Sequence, residues 1–299
     1  MTKKRLIVAL VSIFVTGLLL GGIISHFGLE EETATPKALR CYYPDMGRPS
    51  NWKTFDSNGI AMKDCGDGLG KQYNPVTLSQ YALANYNYYI STGERQYKEE
   101  FLKHADWLVN HEVIIAKGFG VWYYNFEHSR YQCKIPWISA MAQGQAISVL
   151  VRAYQLTEDQ SYLKSAELAV GAFEHSVDEG GVRFIDEDGN VFYLEYACEL
   201  HPCVLNGFIF SLLGLHDYYQ TTGSQKALSL FDDGIQTLKV RLKDYDTGDS
   251  TYYDLIGIVG EASEKYHRLH CQLLYELYFI TGDSYFLTYA EKWYSYLQQ

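Results

Sequence analysis

A repeated helical hairpin is the feature of this sequence that most constrains its fold. Four segments share an aromatic residue, a helix end at Thr-Gly or a similar pair, a second aromatic residue, and then an amphipathic run rich in alanine and leucine. They span residues 86–109, 151–173, 215–238 and 275–297. Glycine after the threonine suits the left-handed cap that ends many helices, and a serine or aspartate beyond it can start the next helix. Each segment is therefore predicted to be two helices joined by a tight turn.

The spacing of these hairpins predicts how they assemble. The equivalent threonines are Thr92, Thr157, Thr222 and Thr281, so successive hairpins lie 65, 65 and 59 residues apart. Linear helical solenoids repeat at shorter intervals, usually about 34 to 47 residues. The sequence therefore predicts an all-α fold, an incomplete α/α toroid of about four helical hairpins, over residues 70–299.

Long polar and aromatic connections separate the hairpins. They cover residues 118–137, 180–202 and 243–270. Asp188-Gly189 lies between two short runs of strand-forming residues, a pattern typical of a β-hairpin. Because such connections gather at one end of a toroid and loops often carry function, we expect short β-hairpin insertions and a functional cleft there.

The N-terminal residues predict a membrane anchor. A basic cluster at residues 3–5 precedes an uncharged run over residues 6–25, which as a helix would span about 30 Å, the thickness of a bilayer core. The basic cluster should stay in the cytoplasm, which places the rest of the chain in the Golgi lumen, the periplasm or the cell exterior, depending on the organism. A cleaved signal peptide is the alternative. The predicted regions are a cytoplasmic tail (1–5), a transmembrane signal anchor (6–25), a linker and N-terminal extension (26–69) and the toroid (70–299).

Composition and cysteine usage narrow the function classes. The chain has 25 basic and 36 acidic residues, a net charge of −11, which argues against nonspecific binding to nucleic acid. Its 27 tyrosines suit either contacts with polar ligands such as sugars or packing between helices. The six cysteines can form disulfides in an oxidising compartment, but the sequence does not choose a pairing. Cys198, His201 and Cys203 lack a fourth ligand at a recognisable spacing, so we predict no zinc site.

The connections repeat one chemical theme, in which carboxylate, imidazole and tyrosine side chains are neighbours. A tyrosine hydroxyl is a poor base in water, but a buried site with cationic or hydrogen-bonding neighbours can lower its pKa. These residues are therefore candidates for acid–base chemistry, and a purely structural role is the alternative. The theme covers Glu195-Tyr196, Tyr253-Asp254 and Tyr266-His267 with His270.

Four stretches carry a resemblance to a known family. WISAMAQGQAISVLVRAYQLT, residues 137–157, closely resembles a signature of the D-glucuronyl C5-epimerase C-terminal domain family. Residues 73–86, 195–223 and 251–274 agree with that family in the same order. The resemblance runs from about residue 70 to residue 299, and it implies an incomplete α/α toroid, the fold that the hairpins predict.

The resemblance also implies a reaction. The family inverts C5 of D-glucuronate residues in a heparosan-like acidic polysaccharide, giving L-iduronate, without a cofactor. Carried over by motif, Tyr196 and Tyr266 are the expected proton-transfer pair, Glu195 tunes Tyr196, and Tyr253 contacts the uronate. Substrate contacts are expected from Tyr73, Arg183, Asn206, His267, Arg268 and His270.

One departure from the family bears on the substrate. The family typically has arginine directly after Tyr-Asp-Leu, a side chain that could bind carboxylate or sulfate, whereas this chain has Ile256. A groove for a polyanion must therefore rely on local cations. The candidates are Arg130, Lys134, Arg152, Arg183, Lys265 and Arg268.

Alternatives to the epimerase stay open on the sequence alone. One is a uronan lyase or glycoside hydrolase on the same toroid. Another is a noncatalytic glycan-binding membrane protein. In each case we expect contact with the membrane through the N-terminal helix and no nucleic-acid partner, and a homodimer is an alternative to a monomer.

Overall fold

Eight helices pair into four hairpins in the part of the chain that the computed structural model describes, residues 38–66 and 68–298. The prediction of four helical hairpins is confirmed, and the other regular elements of the described residues are short strands and short 3-10 helices. The helices are α1 Pro75–Thr92, α2 Arg95–His111, α3 Ala140–Thr157, α4 Gln160–Val170, α5 Leu205–Thr222, α6 Gln225–Arg241, α7 Glu264–Thr281 and α8 Ser284–Tyr296.

A left-handed residue ends the first helix of every hairpin. Gly93, Gly223 and Gly282 adopt φ angles of 72°, 73° and 69°, and each backbone N–H donates to the carbonyl four residues earlier. In the second hairpin this position is Glu158, with φ 63°. The Thr-Gly turn is thus present in three hairpins, while a glutamate accepts the less favourable left-handed backbone in the other.

The helices form two layers, as expected for an α/α toroid. Helices α1, α3, α5 and α7 pack in sequence as the inner layer, and each is covered by the second helix of its own hairpin. Two glycines allow α3 and α5 to approach closely. A Cβ on Gly144 would lie 2.5 Å from the Cα of Ser211, and one on Gly214 would lie 2.2 Å from the carbonyl oxygen of Gly144.

The long connections lie at the end of the fold where the inner helices begin. Together with the segment before α1, they carry three antiparallel pairs of short strands. The strands are β1 Lys63–Asp64, β2 Lys71–Gln72, β3 Val113–Ile114, β4 Gly120–Val121, β5 Arg183–Ile185 and β6 Val191–Tyr193. Strands β5 and β6 flank Asp188-Gly189, so the β-hairpin predicted there is confirmed.

An N-terminal segment, residues 38–46, bridges the first and last hairpins. The Tyr42 N–H donates to Asn87 Oδ1 in α1 at 2.7 Å, and Arg40 pairs with Glu276 in α7. The predicted anchor, residues 6–25, and the predicted tail, residues 1–5, lie outside the described residues. Within the described ranges, no helix combines the length and apolarity needed to cross a membrane.

Candidate active site

Two joined cavities form a cleft at the N-terminal ends of the inner helices. The first cavity, which Arg130 and Trp137 line, has a volume of about 900 Å³. The second cavity, which Asn206 and Tyr266 line, has a volume of about 850 Å³. Asn74 caps α1 and Ser139 caps α3, each by accepting a hydrogen bond from the first turn of its helix, so partial positive charge converges on the cleft. The residues that line both cavities are Lys63, Asn74, Val76, Glu195 and Tyr196.

A smaller cavity of about 290 Å³ lies at the opposite end, between the N-terminal segment and the C-terminal halves of α3, α5 and α7. Its charged side chains neutralise one another. Arg152 Nη1 lies 2.5 Å from Asp217 Oδ2, and Arg40 pairs with Glu276. This cavity therefore resembles a structural junction, and the large cleft is the candidate site.

Glu195 lies at the junction of the two cleft cavities and is only 9% exposed. Asn206 Nδ2 donates to Glu195 Oε2 at 3.4 Å. Burial raises the pKa of Glu195 to about 7, against the opposing effect of hydrogen bonding from Tyr196 and Asn206. A carboxyl group whose pKa lies near neutrality can both accept and donate a proton at physiological pH.

Four tyrosines surround Glu195. The ring centroids of Tyr131 and Tyr196 lie 4.5 Å apart, and those of Tyr253 and Tyr266 lie 4.8 Å apart. Burial is the main cause that raises the pKa of all four hydroxyls, and the charge of Glu195 raises each further. Hydrogen bonding from Tyr253 opposes this rise at Tyr196 and Tyr266. The four hydroxyls are therefore protonated at neutral pH, and any of them can act as a base only if its own proton has an acceptor.

Asp254 holds Tyr131 in place. The Tyr131 hydroxyl donates to Asp254 Oδ2 at 2.9 Å, and Asp254 is buried. The same carboxylate accepts three backbone N–H groups from the loop that follows it, at 3.0 to 3.2 Å. This network links two of the long connections. Sequence reasoning missed Tyr131 as a site residue, because its partner lies 123 residues away.

Further aromatic rings line the first cavity. Trp137 stacks on Tyr124 with ring centroids 4.0 Å apart, and its centroid lies 5.7 Å from that of Tyr196. The His128 ring lies 4.6 Å from the Tyr196 ring. Rings with an apolar face and a polar edge suit a sugar, which has both kinds of surface.

A disulfide joins two of the connections beside the cleft. Cys133 and Cys198 form this bond, which fixes the segment carrying Tyr131 against the segment carrying Tyr196. Cys198 is thereby unavailable as a thiolate ligand for zinc. The other cysteines, which are free, are Cys41, Cys65, Cys203 and Cys271.

The family model for the C-terminus of D-glucuronyl C5-epimerase matches residues 117–295. The chain belongs to this family. It is 33% identical over 245 residues to an uncharacterized protein of Methanocaldococcus jannaschii, a match that covers 77% of this chain and 79% of that protein. It is 36% identical over 228 residues to the D-glucuronyl C5-epimerase of Caenorhabditis elegans, covering 69% of this chain and 36% of the nematode enzyme.

Two solved structures share the fold of this C5-epimerase family member. A family 76 glycoside hydrolase (mannosidase) of Bacteroides thetaiotaomicron has a TM-score of 0.52 and 16% identity, covering 77% of this chain and 60% of that chain. Cellobiose 2-epimerase of Bacillus thermoamylovorans has a TM-score of 0.50 and 15% identity, covering 75% and 59%. Identities this low support the fold alone. Family membership supports a carbohydrate-modifying enzyme of the isomerase type.

The C5-epimerase motifs meet at the cleft. Asn206, Tyr266 and Arg268 line the second cavity, and Glu195 and Tyr196 line both cavities. Tyr253 lies behind them against Tyr266. The structure therefore brings together the second and third long connections and the start of α5, which are far apart in sequence.

Two predicted substrate contacts in α7 lie elsewhere. His267 Nδ1 and His270 Nδ1 lie 3.0 and 2.9 Å from Thr251 Oγ1, and His267 Nε2 lies 2.9 Å from the carbonyl oxygen of Trp293. Both histidines are buried. Tyr266 lines the second cavity, whereas neither histidine does. His267 is rotated by about 100° from Tyr266 around the helix axis, and both histidine rings lie near Trp293 of α8. The structure gives both histidines contacts with the loop that carries Thr251.

Two other predicted contacts are also absent from the walls of the cleft. Arg183 lies in β5, with its guanidinium 4.0 Å from an Asp233 carboxylate oxygen. The Tyr73 hydroxyl donates to Asp56 Oδ2 at 2.7 Å. Both side chains are engaged with neighbouring acidic residues, so the structure gives them structural contacts.

Proposed function

We propose that this chain is a uronate C5-epimerase that converts D-glucuronate residues of a heparosan-like polymer to L-iduronate. One observation carries the proposal. The Glu195-Tyr196 pair occupies the junction of two cavities, with Tyr253 and Tyr266 beside it. This arrangement supplies a proton acceptor of near-neutral pKa together with several phenolic proton donors.

In the first step, Tyr196 removes the C5 proton. The C5–H bond breaks, the proton moves to the Tyr196 oxygen, and the Tyr196 hydroxyl proton passes to the Glu195 carboxylate. The electron pair moves into the substrate carboxylate, which becomes an enediolate-like dianion. Because the pKa of Glu195 is about 7, a substantial fraction of this carboxyl group is ionised and ready to accept the proton at neutral pH.

In the second step, Tyr266 protonates the opposite face. The electron pair of the enediolate forms the new C5–H bond, and Tyr266 becomes a phenolate. Tyr253, whose hydrogen bonding lowers the pKa of Tyr266, stabilises that phenolate. Glu195 then returns its proton to Tyr266 through solvent, so no group is oxidised or reduced.

The electrostatics of the cleft support a carboxylate substrate despite the acidity of the chain. The N-terminal ends of α1, α3, α5 and α7 meet there, and their backbone N–H groups favour negative charge. Among the described residues that line the cleft, basic and acidic side chains nearly balance. They are Lys63, Arg130, Lys265 and Arg268 against Asp45, Asp64, Glu127, Glu195 and Glu264. Such a surface suits isolated carboxylates better than clustered sulfates.

We place this activity outside the cytoplasm. The basis is the uncharged run over residues 6–25 after a basic cluster, which predicts a signal anchor. A chain anchored in this way would meet an exported polysaccharide.

Incubation of the purified protein with heparosan in D2O tests the proposed function. We expect NMR to show deuterium at C5 and iduronate signals, with no change in polymer length. New unsaturated chain ends would instead identify a lyase, and new reducing ends without unsaturation would identify a hydrolase. No exchange on any uronan would favour a noncatalytic glycan-binding protein.

A further inference from the structure

Arg130 is a cation at the cleft that has no carboxylate partner among the described residues. It lies in the short helical turn Ser129–Tyr131 and lines the first cavity together with Glu195 and Tyr196. Among the described residues, Arg130 takes part in no ion pair. By contrast, Arg268 of the second cavity pairs with Glu264 at 2.8 Å. The charge of Arg130 is therefore available to a ligand.

The position of Arg130 relates it directly to the tyrosine cluster. It precedes Tyr131 in the chain, and its charge opposes the rise in pKa of both Tyr131 and Tyr266. These two tyrosines belong to different connections, and Tyr196 lies against the first of them. The positive potential of Arg130 thus extends across the region where the proposed proton transfers occur.

We propose that Arg130 binds the carboxylate of the reacting uronate. This inference rests on the proposed function. A guanidinium presents parallel N–H groups that match the two oxygens of a carboxylate. Since the carboxylate carbon is bonded to C5, holding it at Arg130 would bring C5 beside Tyr196. Removal of the C5 proton adds negative charge to the same carboxylate, so this contact strengthens as the reaction proceeds.

Lys63 is the strongest competitor for this role. It lines both cavities and, among the described residues, it also forms no ion pair. An ammonium is a point charge that lacks the planar fork of a guanidinium, so Lys63 would attract the polymer without orienting the carboxylate. Lys63→Gln is therefore the matched control for Arg130→Gln.

Calorimetric binding of two trisaccharides tests the inference. One is a heparosan trisaccharide with a single central glucuronate, and the other is its carboxyl-reduced analogue, with glucose at the centre. Wild type should prefer the acid by about ten-fold or more, as expected for a charge-assisted pair. Arg130→Gln should reduce this preference to less than about three-fold, Arg130→Lys should retain part of it, and Lys63→Gln should keep most of it.

The outcomes separate this inference from the proposed function. Arg130 does not bind the carboxylate if wild type shows no preference for the acidic trisaccharide. The same conclusion follows if Arg130→Gln keeps that preference, or if Lys63→Gln is the only variant that loses it. Exchange of the C5 hydrogen in D2O is measured in parallel on wild type. If wild type exchanges its substrate's C5 hydrogen and Arg130→Gln keeps the preference for the acid, the role of Arg130 is wrong but the proposed epimerase activity stands. If wild type shows no exchange, the epimerase proposal itself is contradicted.

Discussion

Glu195 packs against Gly207 so closely that a Cβ on residue 207 would lie 2.2 Å from Glu195 Oε2 and 2.4 Å from Glu195 Cβ. Because the second contact involves the stem of the side chain, a change of rotamer at Glu195 cannot relieve it. Gly207 is the third residue of α5 and directly follows Asn206, which donates to the same carboxylate. The start of α5 therefore determines where Glu195 lies.

The first prediction concerns Gly207→Ala. The added methyl group should displace Glu195 by about 1 Å and reduce the rate of C5 exchange by about 100-fold. Gly234→Ala is the matched control, since its Cβ would lie 2.3 Å from a methyl carbon of Leu212 in the helical core. The control should lower the melting temperature but retain the exchange rate per folded molecule. Equal exchange rates in both variants would mean that the position of Glu195 is unimportant.

The second prediction concerns stability and pH. Burial raises the pKa of Glu195 from 4.5 in the unfolded chain to about 7. The proton bound to Glu195 stabilises the folded chain, and this effect is fully present below the pKa that Glu195 has in the unfolded chain. The effect is lost as the pH rises through the pKa that Glu195 has in the folded chain. Relative to wild type, Glu195→Gln should therefore gain unfolding free energy between about pH 5 and about pH 8, by about 1.4 kcal/mol for each unit of pKa shift. Urea unfolding at the two pH values measures this gain.

Glu112→Gln is the control for this experiment. Burial raises the pKa of Glu112 to about 7 as well, and its carboxylate accepts a hydrogen bond from Ser165, away from the cleft. The same gain in stability should appear, but without loss of C5 exchange. If the unfolding free energies of wild type and Glu195→Gln change equally between the two pH values, the assignment of a raised pKa to Glu195 is contradicted.

The third prediction concerns the disulfide beside the cleft. Replacing Cys133 and Cys198 together by alanine should lower the unfolding free energy by about 2–4 kcal/mol. It should also slow C5 exchange at temperatures where the variant is folded, because the segments that carry Tyr131 and Tyr196 are no longer linked. Cys41→Ser changes an exposed free thiol and should leave both quantities unchanged. Full exchange activity in the folded double variant would show that the link is structural only.

The fourth prediction concerns sulfation of the substrate. Because acidic side chains of the cleft offset its basic ones, added sulfates should not improve binding. We expect kcat/KM for C5 exchange to be about ten-fold lower on N-sulfated heparosan than on unsulfated heparosan. Paired measurements at low and high ionic strength control for general electrostatic attraction. A clear preference for the sulfated polymer would contradict this reading of the cleft.

The hairpins were predictable because their signals are local. A Thr-Gly pair followed by an amphipathic run fixes the end of one helix and the start of the next within a few residues. The residue Glu158 shows the limit of this reasoning, since it takes the same left-handed conformation without a glycine. The direction of each connection also followed from the repeat, because every long connection links an outer helix to the next inner one.

The candidate site was predictable only in part, because much of it depends on tertiary packing. The family motifs led to Glu195 and Tyr196, which the structure places at the cleft. No local signal distinguishes Tyr266, which faces the cleft, from His267, which is buried one residue later. The contact of Tyr131 with Asp254 joins residues far apart in the chain and leaves no periodic pattern.

The most direct test of the two-face proton transfer compares Tyr196→Phe, Tyr266→Phe and Tyr88→Phe on heparosan in D2O, with NMR to locate deuterium. Tyr88, which packs against Tyr97 at the far end of α1, is the control, and its variant should match wild type. Tyr196→Phe should lose exchange by at least about 100-fold. Tyr266→Phe should still place deuterium at C5 of glucuronate but form almost no iduronate. Wild-type exchange by Tyr196→Phe, or wild-type iduronate formation by Tyr266→Phe, would contradict the account.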